Sequence, residues 1–61
     1  MKVSLKSALI EIRERAINHP AFWREAFDSR DMEALIKEGG DIFDWTRVAI
    51  LADDALRGKK G

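Results

Sequence analysis

The sequence predicts an all-α fold. Apolar residues recur at helical spacing in three stretches, and each stretch has its own start and stop signals. Pro20 and Gly39-Gly40 fall between the stretches, and Gly58 closes the last one. The expected architecture is an antiparallel helical hairpin of two principal helices with a short kinked middle helix. Dimerisation would complete it as a four-helix-like bundle.

The first helix starts at Ser4, a good N-cap residue. Leu5, Ala8, Leu9, Ile12 and Ala16 make its main stripe, and Glu11 and Arg15 form a favourable surface pair four residues apart. Val3, Ile10 and Ile17 recur every seven residues nearly opposite that stripe, giving a second apolar face. Asn18-His19-Pro20 ends the helix, because the residue before proline is driven out of the α region; Pro20 suits the first turn of the next helix. Phe22, Trp23, Ala26 and Phe27 then share one broad face. Asp28-Ser29-Arg30-Asp31 breaks the pattern, with Asp28 or Ser29 capping a short piece that carries Met32, Leu35 and Ile36 and runs to Glu38. Gly39-Gly40 supplies the positive φ that stops it.

The last helix is the most informative element. Asp41 is its expected cap, Asp44 sits near its positive end, and Gly58 is its expected stop. Its main stripe is Trp45, Val48, Ala49, Ala52, Ala55 and Leu56, with Phe43 and Ile50 well away from it. A helix with two apolar faces needs two partners, and a second copy of the chain is the expected second one. The dimer interface expected from this pattern is Val3, Ile10, Ile17, Phe43 and Ile50.

Composition bounds the function. Residues 1–61 make one small domain, with 57–61 as a polar tail, and so short a chain buries little core. The absence of Cys removes disulfides, zinc–thiolate sites and iron–sulfur clusters, and a single His leaves few other metal sets. Neither a metal nor a cofactor is expected. Eleven basic residues balance eleven acidic ones, which disfavours nucleic acid as partner. Neither a signal peptide nor a membrane span is readable, which suits a cytoplasmic protein.

Catalysis is not expected. Ser4, Ser7 and Ser29 sit at helix starts, where capping accounts for them, and His19 reads as an exposed turn residue rather than a general base. The pairs Asp28/Asp31 and Asp41/Asp44 have N-cap and N3 spacing, while Asp53 of the pair Asp53/Asp54 can meet Arg57 one turn on. Arg13, Arg15, Arg24 and Arg30 read as a mixed solvated face, interleaved with Glu11, Glu14 and Glu25. Gly39-Gly40 reads as a turn, its alternative being a processing site that would release the first forty residues as a leader. The aromatics are the best binding candidates, most of them in the core. The expected partner-binding residues are Phe22, Trp23 and Phe43 as anchors, with Arg24 and Arg30 steering an acidic partner.

Phe22-Trp23, Asp44-Trp45-x-x-x-Ala49-x-Leu51 and Asp54-Ala55-Leu56 together resemble small phage-encoded helical proteins that inhibit host regulators. Among those are antagonists of quorum-sensing transcription factors and of pilus-assembly ATPases. The resemblance implies a dimerising helical hairpin that inhibits a host protein. His19-Pro20-Ala21-Phe22 and Ala34-Leu35-Ile36-Lys37-Glu38-Gly39 are also similar to helical leader peptides of modified natural products. The function expected is thus a non-catalytic interaction module that inhibits or modulates a host protein, the alternatives being a leader peptide and an accessory subunit of a larger complex.

Overall fold

A computed structural model describes residues 4–58 and shows an all-α protein of four helices: α1 Leu5–Ile17, α2 Arg24–Ser29, α3 Met32–Glu38 and α4 Gly40–Arg57. Ser4 caps α1 as expected, its hydroxyl accepting the Ser7 N–H at 3.1 Å. Past Asn18 the chain turns, with the Phe22 N–H donating to the His19 carbonyl at 3.0 Å. The next helix does not begin at Pro20. Trp23 is extended, and its N–H donates 2.9 Å to the hydroxyl of Thr46 in α4, so helix resumes only at Arg24.

The middle segment is two short helices, with the break where the pattern at residues 28–31 places it. Arg30 separates them in the left-handed region, at φ 58°. Asp31 is the cap of α3, in place of Asp28 or Ser29, its carboxylate accepting the Ala34 N–H at 3.1 Å. Gly39 and Gly40, both at positive φ, turn the chain directly into α4. Asp41 lies inside the first turn of α4 and Gly39 takes the cap position, so Asp41 contributes its charge near the helix start and no capping bond. Gly58 ends α4 in the left-handed conformation, as expected. Arg57 belongs to α4 and not to a tail, since it is helical and bonds Asp53 at 2.8 Å.

Helices α1 and α4 run antiparallel. Arg13 meets Asp53 and His19 meets Trp45, so the sum of facing residue numbers stays nearly constant along the seam. Ala16, Ala49 and Ala52 are buried along it, and such small side chains let the backbones approach. Leu5 and Ile12, expected in the core stripe, are 77% and 44% exposed. Leu5 lies at the end of the seam, where α4 stops at Arg57.

The second apolar face of α4 is covered by the chain itself. α4 packs against α1, α2 and α3. Ile50 is buried in the same cluster as Phe27 and Leu35, with Ile17 and Phe43 packed against it. Of the residues expected at a dimer interface, Ile50 is buried inside the chain, which corrects its assignment; Ile17 and Phe43 are half-buried against the core, Ile10 is half-buried, and Val3 lies outside the described residues. The short helices α2 and α3 supply the second partner that α4 requires. The buried apolar set is small, chiefly Ala16, Ala26, Ala49 and Ala52 with Phe27, Leu35 and Ile50. No helix among the described residues is long and apolar enough to cross a membrane.

Candidate interaction site

The turn between α1 and α2, where His19 to Trp23 descend toward α4, opens an apolar cleft. Pro20, Ala21, Phe22 and Trp23 form one wall, Ile42 of α4 and Glu38 of α3 the other, around a volume of about 350 Å³. Phe22 and Trp23 are half-buried and packed against the core. Phe22 meets Phe27 edge-to-face at 5.3 Å between ring centres, which fixes the ring that lines the cleft. Trp23 is fixed at its backbone by Thr46, whose side chain is wholly buried. The wall formed by Phe22 and Trp23 is therefore anchored to the core at both residues.

Of the expected anchors, the structure brings Phe22 and Trp23 together here. Phe43 does not line the cleft; it packs on the core beneath the Arg47 guanidinium, 5.7 Å from the ring centre. Ile42, its chain neighbour, takes the place in the cleft. Arg24 is exposed, with its guanidinium 5.4 Å from the Phe22 ring centre, and so stands at the rim. Glu38 brings the opposite charge.

Arg30 is not free to steer a partner. Its guanidinium donates to Asp53 at 2.7 Å, to Asp54 at 2.9 Å and to the Phe27 carbonyl, and lies 4.7 Å from the Phe27 ring centre. Arg13 donates to the other oxygen of Asp53 at 2.7 Å, and Arg57 approaches at 2.8 Å. The Asp53 side chain is 4% exposed. Burial pushes its carboxyl up, but the bonds from Arg13 and Arg30 and the charges of Arg57 and Arg30 outweigh burial and hold it below the ordinary carboxylate range. Partial burial likewise opposes the charge on Arg30, and the bonds to Asp54 and Asp53 more than restore it. This cluster ties α1, the α2–α3 junction and α4 at one point. Arg13 and Arg30 therefore leave the solvated face on which the sequence places them.

His19 is half-buried rather than an exposed turn residue. Its ring stacks on Trp45 at 4.0 Å with an interplanar angle of 11°, and its Nδ1 accepts the Ala21 N–H at 3.0 Å. Both contacts brace the wall of the cleft. Of the remaining acidic pairs, Asp28, Asp41 and Asp44 are exposed. Among the described residues, nowhere do three His, Cys, Asp or Glu side chains gather as metal ligands would. Compared with protein families, with curated proteins and with solved structures, the chain matches none.

Proposed function

We propose that this protein is a non-catalytic protein–protein interaction module that inhibits or modulates a host protein by covering its working surface. The cleft of Pro20, Ala21, Phe22, Trp23, Glu38 and Ile42 carries this reading. It is apolar, open at the surface, and built on rings already held in place, so a partner side chain entering it meets little ordering cost. Its chemistry defines the contact: an apolar or aromatic side chain in the cleft, a carboxylate beside Arg24 and a cation beside Glu38. Such an aromatic centre with a charged rim is the usual anatomy of an interaction hot spot.

The test is capture from host lysate on immobilised wild type, run beside Ile42→Glu and Arg24→Glu with helicity checked by circular dichroism. A stoichiometric protein retained by wild type and lost from folded Ile42→Glu is the expected result. Arg24→Glu, being at the rim, should weaken retention less. Retention unchanged in folded Ile42→Glu, or nothing retained by wild type, overturns the assignment.

A further inference from the structure

All but one of the Phe and Trp rings in this chain are already engaged. Arg24 lies over Phe22, Arg30 over Phe27 and Arg47 over Phe43, with guanidinium carbons 5.4, 4.7 and 5.7 Å from the ring centres. Trp45 stacks on His19 at 4.0 Å. Trp23 is the exception: among the described residues, neither a cation nor a second ring lies on its indole. Trp23 lines the cleft, and Glu38 is the only charged residue of that lining. Glu38 is exposed and forms no ion pair among the described residues. It is also the last residue of α3, where the negative end of the helix dipole adds to its charge.

We infer that the cleft seats an arginine side chain of the partner protein, with its guanidinium on Trp23 and its charge against Glu38. This rests on the reading of the cleft as an interaction site, and it names the cation which that reading places beside Glu38. Three features select arginine. Trp is the best cation–π platform among the side chains, and a guanidinium is the cation that lies flat on an aromatic face. A carboxylate holds a guanidinium through two parallel N–H bonds, a geometry an ammonium does not match. The rest of the lining is apolar, so the aliphatic stem of the arginine and an apolar neighbour cover Pro20, Phe22 and Ile42 while the head group finds one counter-charge. The chain uses the same arrangement internally, where Arg30 lies over Phe27 while bonding Asp53 and Asp54. Arg24 already occupies the Phe22 ring, which directs an incoming guanidinium to Trp23 and leaves Arg24 itself for a carboxylate of the partner. A side chain of a protein fits better than free arginine. The lining offers no second charged group to hold an α-ammonium or α-carboxylate, whereas the main chain of a protein segment is neutral.

Titration of the isotope-labelled full chain with acetyl-Leu-Arg-amide, followed by nuclear magnetic resonance at the two indole N–H signals, tests this. Acetyl-Leu-citrulline-amide, of the same shape but without the charge, is the comparison. The arginine peptide should move the Trp23 signal and leave that of Trp45, which does not line the cleft. The citrulline peptide should bind about tenfold more weakly, the combined effect of one cation–π contact and one exposed ion pair. Glu38→Gln, at an exposed position, should keep wild-type helicity by circular dichroism and lose most of the preference for arginine. Equal affinity for the two peptides, or an undiminished preference in folded Glu38→Gln, overturns the arginine assignment and leaves the cleft standing as an apolar site. A Trp23 signal that neither peptide moves overturns the arginine assignment and the reading of the cleft together.

Discussion

Replacing Asp53 by Asn is the most demanding test of the tertiary structure. The two side chains are nearly isosteric, so the change removes charge and leaves volume. In the wild type, Asp53 accepts Arg13 and Arg30 at 2.7 Å each and Arg57 at 2.8 Å, with its side chain 4% exposed. Breaking a buried ion pair from one side costs about 3–5 kcal/mol. Arg13 and Arg30 keep 30% and 28% of their side chains in contact with water, and Arg57 is mostly exposed, so the low end applies, about 3 kcal/mol. A 61-residue chain has a total stability of roughly 3–9 kcal/mol at the usual value per residue. The substitution should therefore remove a third or more of it. At 4–8 °C per kcal/mol for a domain of this size, the thermal midpoint should fall by about 12–24 °C.

The sign of the pH effect follows from the same cluster. The folded carboxyl is held below its unfolded value, so its contribution is present above the unfolded pKa of about 3.9 and is lost as pH falls through the lower folded value. Urea unfolding followed by circular dichroism at neutral pH and near pH 3 is the assay. Wild type and Asp53→Asn should differ by about 3 kcal/mol at neutral pH, and the gap should narrow in acid. A difference within ~0.5 kcal/mol at neutral pH, the usual range for a surface change, would refute the buried-cluster reasoning, as would a gap that does not shrink in acid.

Two further substitutions probe the junctions. Thr46→Val keeps the shape of a wholly buried residue but strands the Trp23 N–H. It should cost about 1–3 kcal/mol, and exchange of the Trp23 amide should accelerate more than that of amides in the middle of α1; equal acceleration throughout would argue against a local role. Gly39→Ala places a side chain at φ 63°, ψ −164°, a conformation almost restricted to glycine. The nearest atom to the added methyl is the Ile36 carbonyl oxygen at 3.9 Å, so there is no clash, and the expected loss of about 1–3 kcal/mol is conformational. Unchanged stability by urea titration would mean that the α3–α4 turn is free to adopt another geometry.

The helices were legible in the sequence where local chemistry sets them. Ser4 caps, Pro20 and Gly58 stop, and Glu11–Arg15 pair as their positions demand, because each involves residues within a turn or two of one another. The cleft was half legible: Phe22 and Trp23 stand out by type, while Ile42 and Glu38 join them only because the Gly39-Gly40 turn brings α3 and α4 together there. The buried face of α4 was misread for a specific reason. Its members, Thr46, Ala49, Ile50, Ala52 and Asp53, lie along one helical stripe, with Thr46, Ala49 and Ala52 three apart and Thr46, Ile50 and Asp53 four and three apart. Two of the five are polar, so a search for apolar residues passed over them and assigned Ile50 to another chain. A threonine and an aspartate in phase with a buried stripe were the available signal.

The sequence by itself determined that this chain is helical, where α1 begins and where α1 and α4 end, and that α4 needs more than one partner, since these depend on backbone sterics and on the period of the helix. Only the tertiary structure decided who those partners are. It folds α2 and α3 back onto α4, turns Arg13 and Arg30 inward onto one buried carboxylate, and leaves Ile12 and Leu51 facing water. Those outcomes rest on contacts between residues 23 to 40 positions apart, whose geometry no local pattern encodes.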